Sequence, residues 1–417
     1  MKDKFTKFAE VISTALIAAT LLSGCGFLKD ASAPSGDGSG RTSVAESADI
    51  PAQSTTVLET APPRDPFADV SVTFTAAGDD LIHPNIYYDA AARAADGVQY
   101  DFKPMFSEVT DIISAPDFAF INQETLMAGD GFEVSGYPSF NSPQELGRDL
   151  VTLGFDIVNI ANNHMLDRSA VGLSATMDFW HSEPVTLLGA YYDKSDAATL
   201  RTVSADGITI ALLSYTYGTN GIVLPEGSEL DIPYIDDARI SSELALAEEN
   251  ADFTIVSVHW GDENSTEPND EQRRLARLMA DGGADVILGH HSHTLQALEW
   301  IDRSDGGRTL CAYSLGNLVS AMMYPENMVA GFLNFTVSGD GSGGLSVTNI
   351  GFIPTVFYYG MDYYGTHIYR LENYTDEIAA GHGTQLYGYT TTPEKARTYV
   401  KNAIPTEYLP DYMQSGK

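Results

Sequence analysis

Short apolar β-runs alternating with helical stretches of about 10–15 residues predict an α/β protein with substantial parallel strand pairing. A second observation agrees. Five polar clusters rich in His, Asp, Asn and Glu each follow an apolar run, at the carboxyl end of a predicted strand, and ligands bind there in open α/β sheets. The chain has 417 residues, 43% of them hydrophobic, ample for a large core or two moderate domains.

The amino end stands apart from that fold. Lys2, Lys4 and Lys7 form a positive region and Val11 to Leu22 an apolar one, closed by Leu22-Ser23-Gly24-Cys25. The apolar run is short of the roughly 20 residues that span a bilayer, so residues 1–24 are expected to be a signal peptide. The Leu-Ser-Gly-Cys ending resembles a bacterial lipobox, which implies a lipid on Cys25 and an extracytoplasmic lipoprotein anchored to the cell membrane. A plain secretory signal with an incidental cysteine is the alternative. Residues 25–69 are Ser, Ala, Thr, Pro, Gly and Asp with few large apolar side chains, the composition of a disordered tether. Such a tether of about 40 residues spans on the order of 35 Å.

The elements of the folded part follow in order. Residues 70–78 are β-rich, 103–114 helix-like, and 116–122 a strand. A helix over 143–154 stops at Gly154, followed by a strand over 155–161, a helix over 171–183 and a strand over 185–190. Strands at 207–217, 252–260 and 284–289 then alternate with helices at 236–250 and 267–283. After Arg308 the pattern turns strand-rich, at 309–319, 331–339 and 345–359. The core domain is expected over residues 70–375, with a Tyr-rich C-terminal extension over 376–417 that is helical near 392–402. No repeat of fixed period is present.

Composition limits the partners. The 57 acidic and 23 basic residues give a formal net charge of −34, a field that repels nucleic acid and anionic headgroups. With Cys25 modified, Cys311 has no disulfide partner within the chain and reads as a buried, inert thiol. Arg273, Arg274 and Arg277 share one predicted helix. They read as a solvated face, or, following His259 closely, as a contact for an anionic substrate.

The polar clusters carry the chemistry. Asp79 follows the first strand and Glu124 the second, with Asn122 alternating to the same face. Asn162, Asn163, His164 and Asp167 follow the third, His259 ends a later one, and His291 with His293 ends the next. Taken singly, Asp79 reads as a turn residue, Asn122 and Glu124 as surface, and His259 as a core histidine. Together, carboxylates, imidazoles and an amide suit a borderline divalent ion such as Zn, Mn or Fe. The lack of thiolates there argues against an iron–sulfur or Cys-type zinc site. His181, His367 and His382 lie in helix-like or tail segments and read as structural or exposed.

In order, GDD…H, NQE, ANNHMLD, HWGDE, GHHSH and YSLGNLV over roughly Val72 to Val319 resemble the CapA family, associated with poly-γ-glutamate capsule synthesis. That family in turn resembles the calcineurin-like metallophosphoesterases. The resemblance implies a four-layer α/β/β/α sandwich with a two-metal site between the sheets, the strand-rich end supplying the second sheet. By motif it implies Asp79, Asn163, His259, His291 and His293 as metal ligands. Glu124 stands where that pattern has a bridging aspartate, and His164, oriented by Asp167, is the acid near the leaving group. Two positions depart from the pattern. Leu81 stands where the first motif has His, with His83 as a substitute or a flanking residue, and Glu124 is one methylene longer than Asp.

The expectation is therefore one or two divalent ions and metal-assisted hydrolysis or transfer on an anionic polymer or phosphoester, with His83, Asn122 and Arg274 as substrate contacts. A non-catalytic polymer-binding or assembly component beside membrane synthase subunits is the alternative.

Overall fold

The computed structural model describes residues 65–414; the expected signal peptide, Cys25 and the expected tether up to residue 64 lie outside the described residues. Fourteen strands are present among them: β1 (Ser71–Asp80), β2 (Phe118–Gln123), β3 (Ile157–Asn159), β4 (Thr186–Leu188), β5 (Arg201–Ala205), β6 (Ile208–Thr216), β7 (Phe253–His259), β8 (Val286–His290), β9 (Leu298–Asp302), β10 (Arg308–Ala312), β11 (Asn317–Val319), β12 (Val329–Gly339), β13 (Leu345–Tyr358) and β14 (His367–Arg370). They form two sheets. One runs β14-β13-β12-β1-β2-β3-β4, with β11 also on β1, and the other runs β5-β6-β7-β8-β10-β9. Parallel pairing links β1 to β4 in the first sheet and β6, β7, β8 and β10 in the second.

The core lies between the sheets. Phe74, Ala76, Phe120 and Ile157 of the first line the same small void as Leu212, Ile255 and Leu288 of the second. Each of the Phe, Ile and Leu side chains, fully buried, contributes about 1.5–3 kcal/mol of transfer free energy. On the far face of the second sheet, Val256, Val258 and Ile287 pack with Ile240 and Leu244 of the helix Asp237–Asn250 and with Leu275 and Met279 of the helix Asp270–Asp281. Asn269 and Gln272 cap the latter reciprocally, satisfying amides that a helix start leaves unpaired. The helix Gln144–Leu153 ends where Gly154 turns left-handed, at φ +112°, as its sequence predicts.

The strand-rich end corrects one expectation. It does not make the second sheet but divides between both: β10 pairs with β8, whereas β11 and β12 pair with β1. The predicted strand over 309–319 breaks because Gly316 takes φ +71°, which turns the chain from one sheet to the other. Strands β5, β9 and β14 were not anticipated; β5, for one, is partly exposed along its length and lacks an apolar run. The helix Pro84–Arg93, with proline in its first turn, was also missed. Residues beyond 375 pack onto the main core through Ala379, Ala396, Val400, Leu409 and Met413, as does Phe67 from the expected tether.

Candidate metal centre

Along each central strand the face toward the core turns from apolar to polar at its carboxyl end. Phe120 is followed on that face by Asn122, Ile157 by Asn159, Leu212 by Ser214, Ile255 by Ser257 and His259, and Leu288 by His290, a consequence of the two-residue period of a strand. On β1 the inner residues are Phe74 and Ala76, and a register shift between Ala76 and Asp79 brings Asp79 onto that face. Gly78 immediately precedes Asp79. It lies within β1, where a Cβ would stand 1.9 Å from Gly316 O, and its bareness lets that backbone approach.

The polar ends meet. Glu124 Oε1 lies 3.7 Å from His259 Nε2 and 3.7 Å from His293 Nε2. Asp79 Oδ2 lies 3.3 Å from His293 Nδ1, and Asp79 Oδ1 lies 3.3 Å from His290 Nδ1. His259 Nε2 is 2.9 Å from Asn163 Oδ1. Ligand atoms of Glu124, His291 and His293 all fall within 4.8 Å of one another, a group that could hold a metal ion. All of these side chains are buried. Both oxygens of Glu124, both ring nitrogens of His290, and the Nδ1 atoms of His259 and His291 have no hydrogen-bond partner. Buried polar atoms left unpaired are costly, and a cation would satisfy this set. Carboxylate, amide oxygen and imidazole are the donors that suit a borderline divalent ion.

Neighbouring groups hold the cluster in place. Asn122 Nδ2 donates to Asp79 Oδ1 at 2.8 Å, and Asn159 Nδ2 donates to Asn122 Oδ1 at 2.7 Å. Ser214 Oγ of the second sheet in turn donates to Asn159 Oδ1. Asn317 Oδ1 lies 2.9 Å from His293 Nδ1, leaving Nε2 toward Glu124, the arrangement that orients ligating imidazoles. His291 and His293 have φ of +90° and +59°, a left-handed backbone that costs non-glycine residues on the order of 1–3 kcal/mol each. Tyr217 packs at a tilt against His291, with ring centroids 4.5 Å apart.

Charge is polarised in the same sense. Burial alone would raise the Asp79 carboxyl, but the imidazoles of His290 and His293 beside it outweigh that and hold it well below the usual range. Burial would lower His293, but the charges of Glu124 and Asp79 raise it to about 10. Burial pushes Glu124 up. His291, buried beside His293, falls to about 3.

Asp79, Glu124, Asn163, His259, His291 and His293, the six expected ligands, thus come together, with His164 close by. Two expected substrate contacts are corrected. Asn122 is wholly buried and spends its amide on Asp79 and Asn159, so it orients an expected ligand. Arg274 is exposed and pairs with Asp237 and Glu271, because acidic partners on its own and the adjacent helix meet it first. His83 flanks the cluster: its Nδ1 is 3.2 Å from Ala321 N, and its ring packs edge-on against Phe140, which packs against His164. The imidazoles beside Asp79 come from the end of β8 and the turn after it. His290 was missed, although strand alternation from Val286 and Leu288 points it inward. Asn317 lies in the YSLGNLV motif but was given no role, and Tyr217 and Asn220 lie far off in sequence and carried no local signal.

The model of the family described as bacterial capsule synthesis protein PGA_cap matches residues 73–322. The chain belongs to that family. It is 34% identical over 212 residues to the PGA biosynthesis protein CapA of Bacillus subtilis (strain 168), covering 48% of this chain and 52% of that protein. With the capsule biosynthesis protein CapA of Bacillus anthracis it shares 28% identity over 211 residues, 50% of each chain. The chain spans about half the length of these relatives. Among solved structures, a 5'-nucleotidase precursor from Thermus thermophilus is 14% identical with a TM-score of 0.43, covering 69% of this chain and 54% of that one. Membership of PGA_cap ties the chain to bacterial capsule synthesis.

Proposed function

We propose that this PGA_cap protein is an exported lipoprotein, anchored through Cys25, whose inter-sheet cluster binds one or two divalent ions (Mn, Zn or Fe) and serves hydrolysis or transfer on poly-γ-glutamate or a related anionic polymer or phosphoester. The reading includes a four-layer α/β/β/α sandwich with membrane synthase subunits as partners. One observation carries it: Glu124 Oε1 stands 3.7 Å from the Nε2 atoms of both His259 and His293, with neither Glu124 oxygen hydrogen-bonded.

Asp79, Glu124, Asn163, His259, His291 and His293 would hold the ion or ions. When bound, a divalent ion supplies Lewis acidity toward a phosphoryl or carbonyl oxygen and activates water. The chain's own residues supply the proton. His164 Nδ1 is 2.8 Å from Asp167 Oδ2, so Nδ1–H donates to the carboxylate and Nε2 is left to give a proton to a departing oxygen or nitrogen. Asn162 Oδ1 accepts from His164 N at 2.9 Å and fixes the loop that carries the ring.

The second reading, a non-catalytic polymer-binding or assembly role, is favoured by the depth of the cluster: Glu124 is 1% exposed and His259 0%, which restricts the approach of a polymer. One experiment separates the two. Metal content is measured on chelator-free wild-type protein and on Asp79→Ala and His291→Ala, followed by a panel of phosphoesters and γ-glutamyl peptides with added Mn or Zn. Metal in the wild type alone, and turnover abolished by His164→Ala, support the enzyme. Polymer binding without turnover that survives His164→Ala supports the assembly role, and no metal in any variant sinks the proposal.

A further inference from the structure

We propose that Asn220 is a positioning residue for the metal cluster, holding the Asn163 amide so that its oxygen faces His259; this rests on the reading that the cluster binds a divalent ion. The sequence places Asn220-Gly221 at the centre of a tight turn. Ile222 N donates to Thr219 O at 2.9 Å, and φ is +52° at Asn220 and +75° at Gly221. Positive φ at both central residues is the type I′ condition, which Asn-Gly meets at least cost. Thr219 Oγ1 braces the turn, 2.5 Å from Ile222 O and 2.9 Å from Tyr234 OH. Upstream, Tyr217 N donates to His259 O at 3.0 Å, which ties the segment to the end of β7.

The turn presents one side chain to the cluster from its exposed rim. Asn163 Nδ2 donates to Asn220 Oδ1 at 3.2 Å, while Asn163 Oδ1 lies 2.9 Å from His259 Nε2. An amide has a donor end and an acceptor end, so holding the donor end toward Asn220 directs the acceptor end toward His259. Without that partner the Asn163 amide keeps only the Tyr217 hydroxyl beside it and is freer to rotate, and an NH₂ group is no ligand for a cation. Asn220 Nδ2 also lies 3.4 Å from His164 Nδ1, so the same side chain stands between the amide and the expected proton donor.

The test is Zn and Co(II) titration of the chelated full chain, by calorimetry and by the visible spectrum of the cobalt form, on wild type, Asn220→Gly and Asn220→Asp. Gly suits the turn backbone but removes the carbonyl; Asp suits it and keeps an acceptor. Asn220→Gly is expected to bind about 10–100-fold more weakly with an altered cobalt spectrum, while Asn220→Asp retains the wild-type affinity and spectrum. Thermal midpoints of the metal-free forms should coincide, which excludes a merely structural effect. Wild-type binding left unchanged by Asn220→Gly overturns this inference alone, whereas no binding by the wild type removes it together with the metal reading.

Discussion

His164 Nδ1 lies 2.8 Å from Asp167 Oδ2, and both side chains are almost wholly buried. The same carboxylate oxygen accepts from Phe140 N at 2.7 Å, so one group orients the ring and fastens the segment that packs on it. If His164 moves a proton in turnover, His164→Ala lowers the rate by about 10²-fold or more and leaves metal content unchanged. Steady-state rates on whichever panel substrate turns over, with elemental analysis of the same samples, check this. Equal rates would remove the acid role.

The approach of Gly78 to Gly316 gives a prediction about folding. A Cβ 1.9 Å from a backbone carbonyl oxygen cannot be relieved by a rotamer change. Gly78→Ala is expected to destabilise by about 2 kcal/mol or more in urea denaturation. Gly131→Ala, where a Cβ meets nothing within 4 Å, should stay within about 0.5 kcal/mol of wild type.

His382 makes stability depend on pH. Its Nε2 donates to Phe357 O at 3.0 Å and its Nδ1 accepts from Thr384 N at 3.1 Å, so the neutral ring is satisfied, and burial lowers its pKa to about 4. An unfolded histidine binds its proton near pH 6.5. The stabilisation is therefore complete above that value and is lost as pH falls through the folded pKa, by at most about 3 kcal/mol. Unfolding free energies at pH 7 and pH 4.5 should differ less in His382→Gln than in wild type; equal differences would contradict the assignment.

Cys311 is wholly buried, and burial pushes its thiol well above the ordinary range. In a Cys25→Ser background it should resist a thiol reagent in native buffer and react at once in denaturant. Rapid reaction of the native protein would show that β10 opens readily.

Much of this was legible because the period of a strand is short. The central strands β1, β2, β7 and β8 announce themselves as apolar runs, and their polar ends mark where ligands gather. The clusters that hold Asp79, Glu124, Asn163, His259, His291 and His293 were found in this way, and the resemblance by motif is what singled these six out as ligands. What stayed hidden depends on pairing across long sequence separations. The β-bulge after Ala76 decides that Asp79, and not Asp80, faces the cluster, and no local pattern encodes it. Arg274 looked available only until the fold brought Asp237 alongside it. Asn220 was invisible because it reaches the cluster from a turn whose place is set by the second sheet, and the part played by Asn317 depends on β11 pairing with β1 across more than two hundred residues.

The expected ligands are divided between the sheets, with Asp79, Glu124 and Asn163 on one and His259, His291 and His293 on the other. An ion held by both sets would act as a rivet through the sandwich, since the sheets could not part without releasing it. Resistance to unfolding would then rise with the free ion concentration, by about 2.7 kcal/mol at a hundredfold excess over Kd. Exported as proposed, the protein would draw part of its durability from the surrounding medium, and scavenging of metal there would loosen the scaffold as well as empty the site.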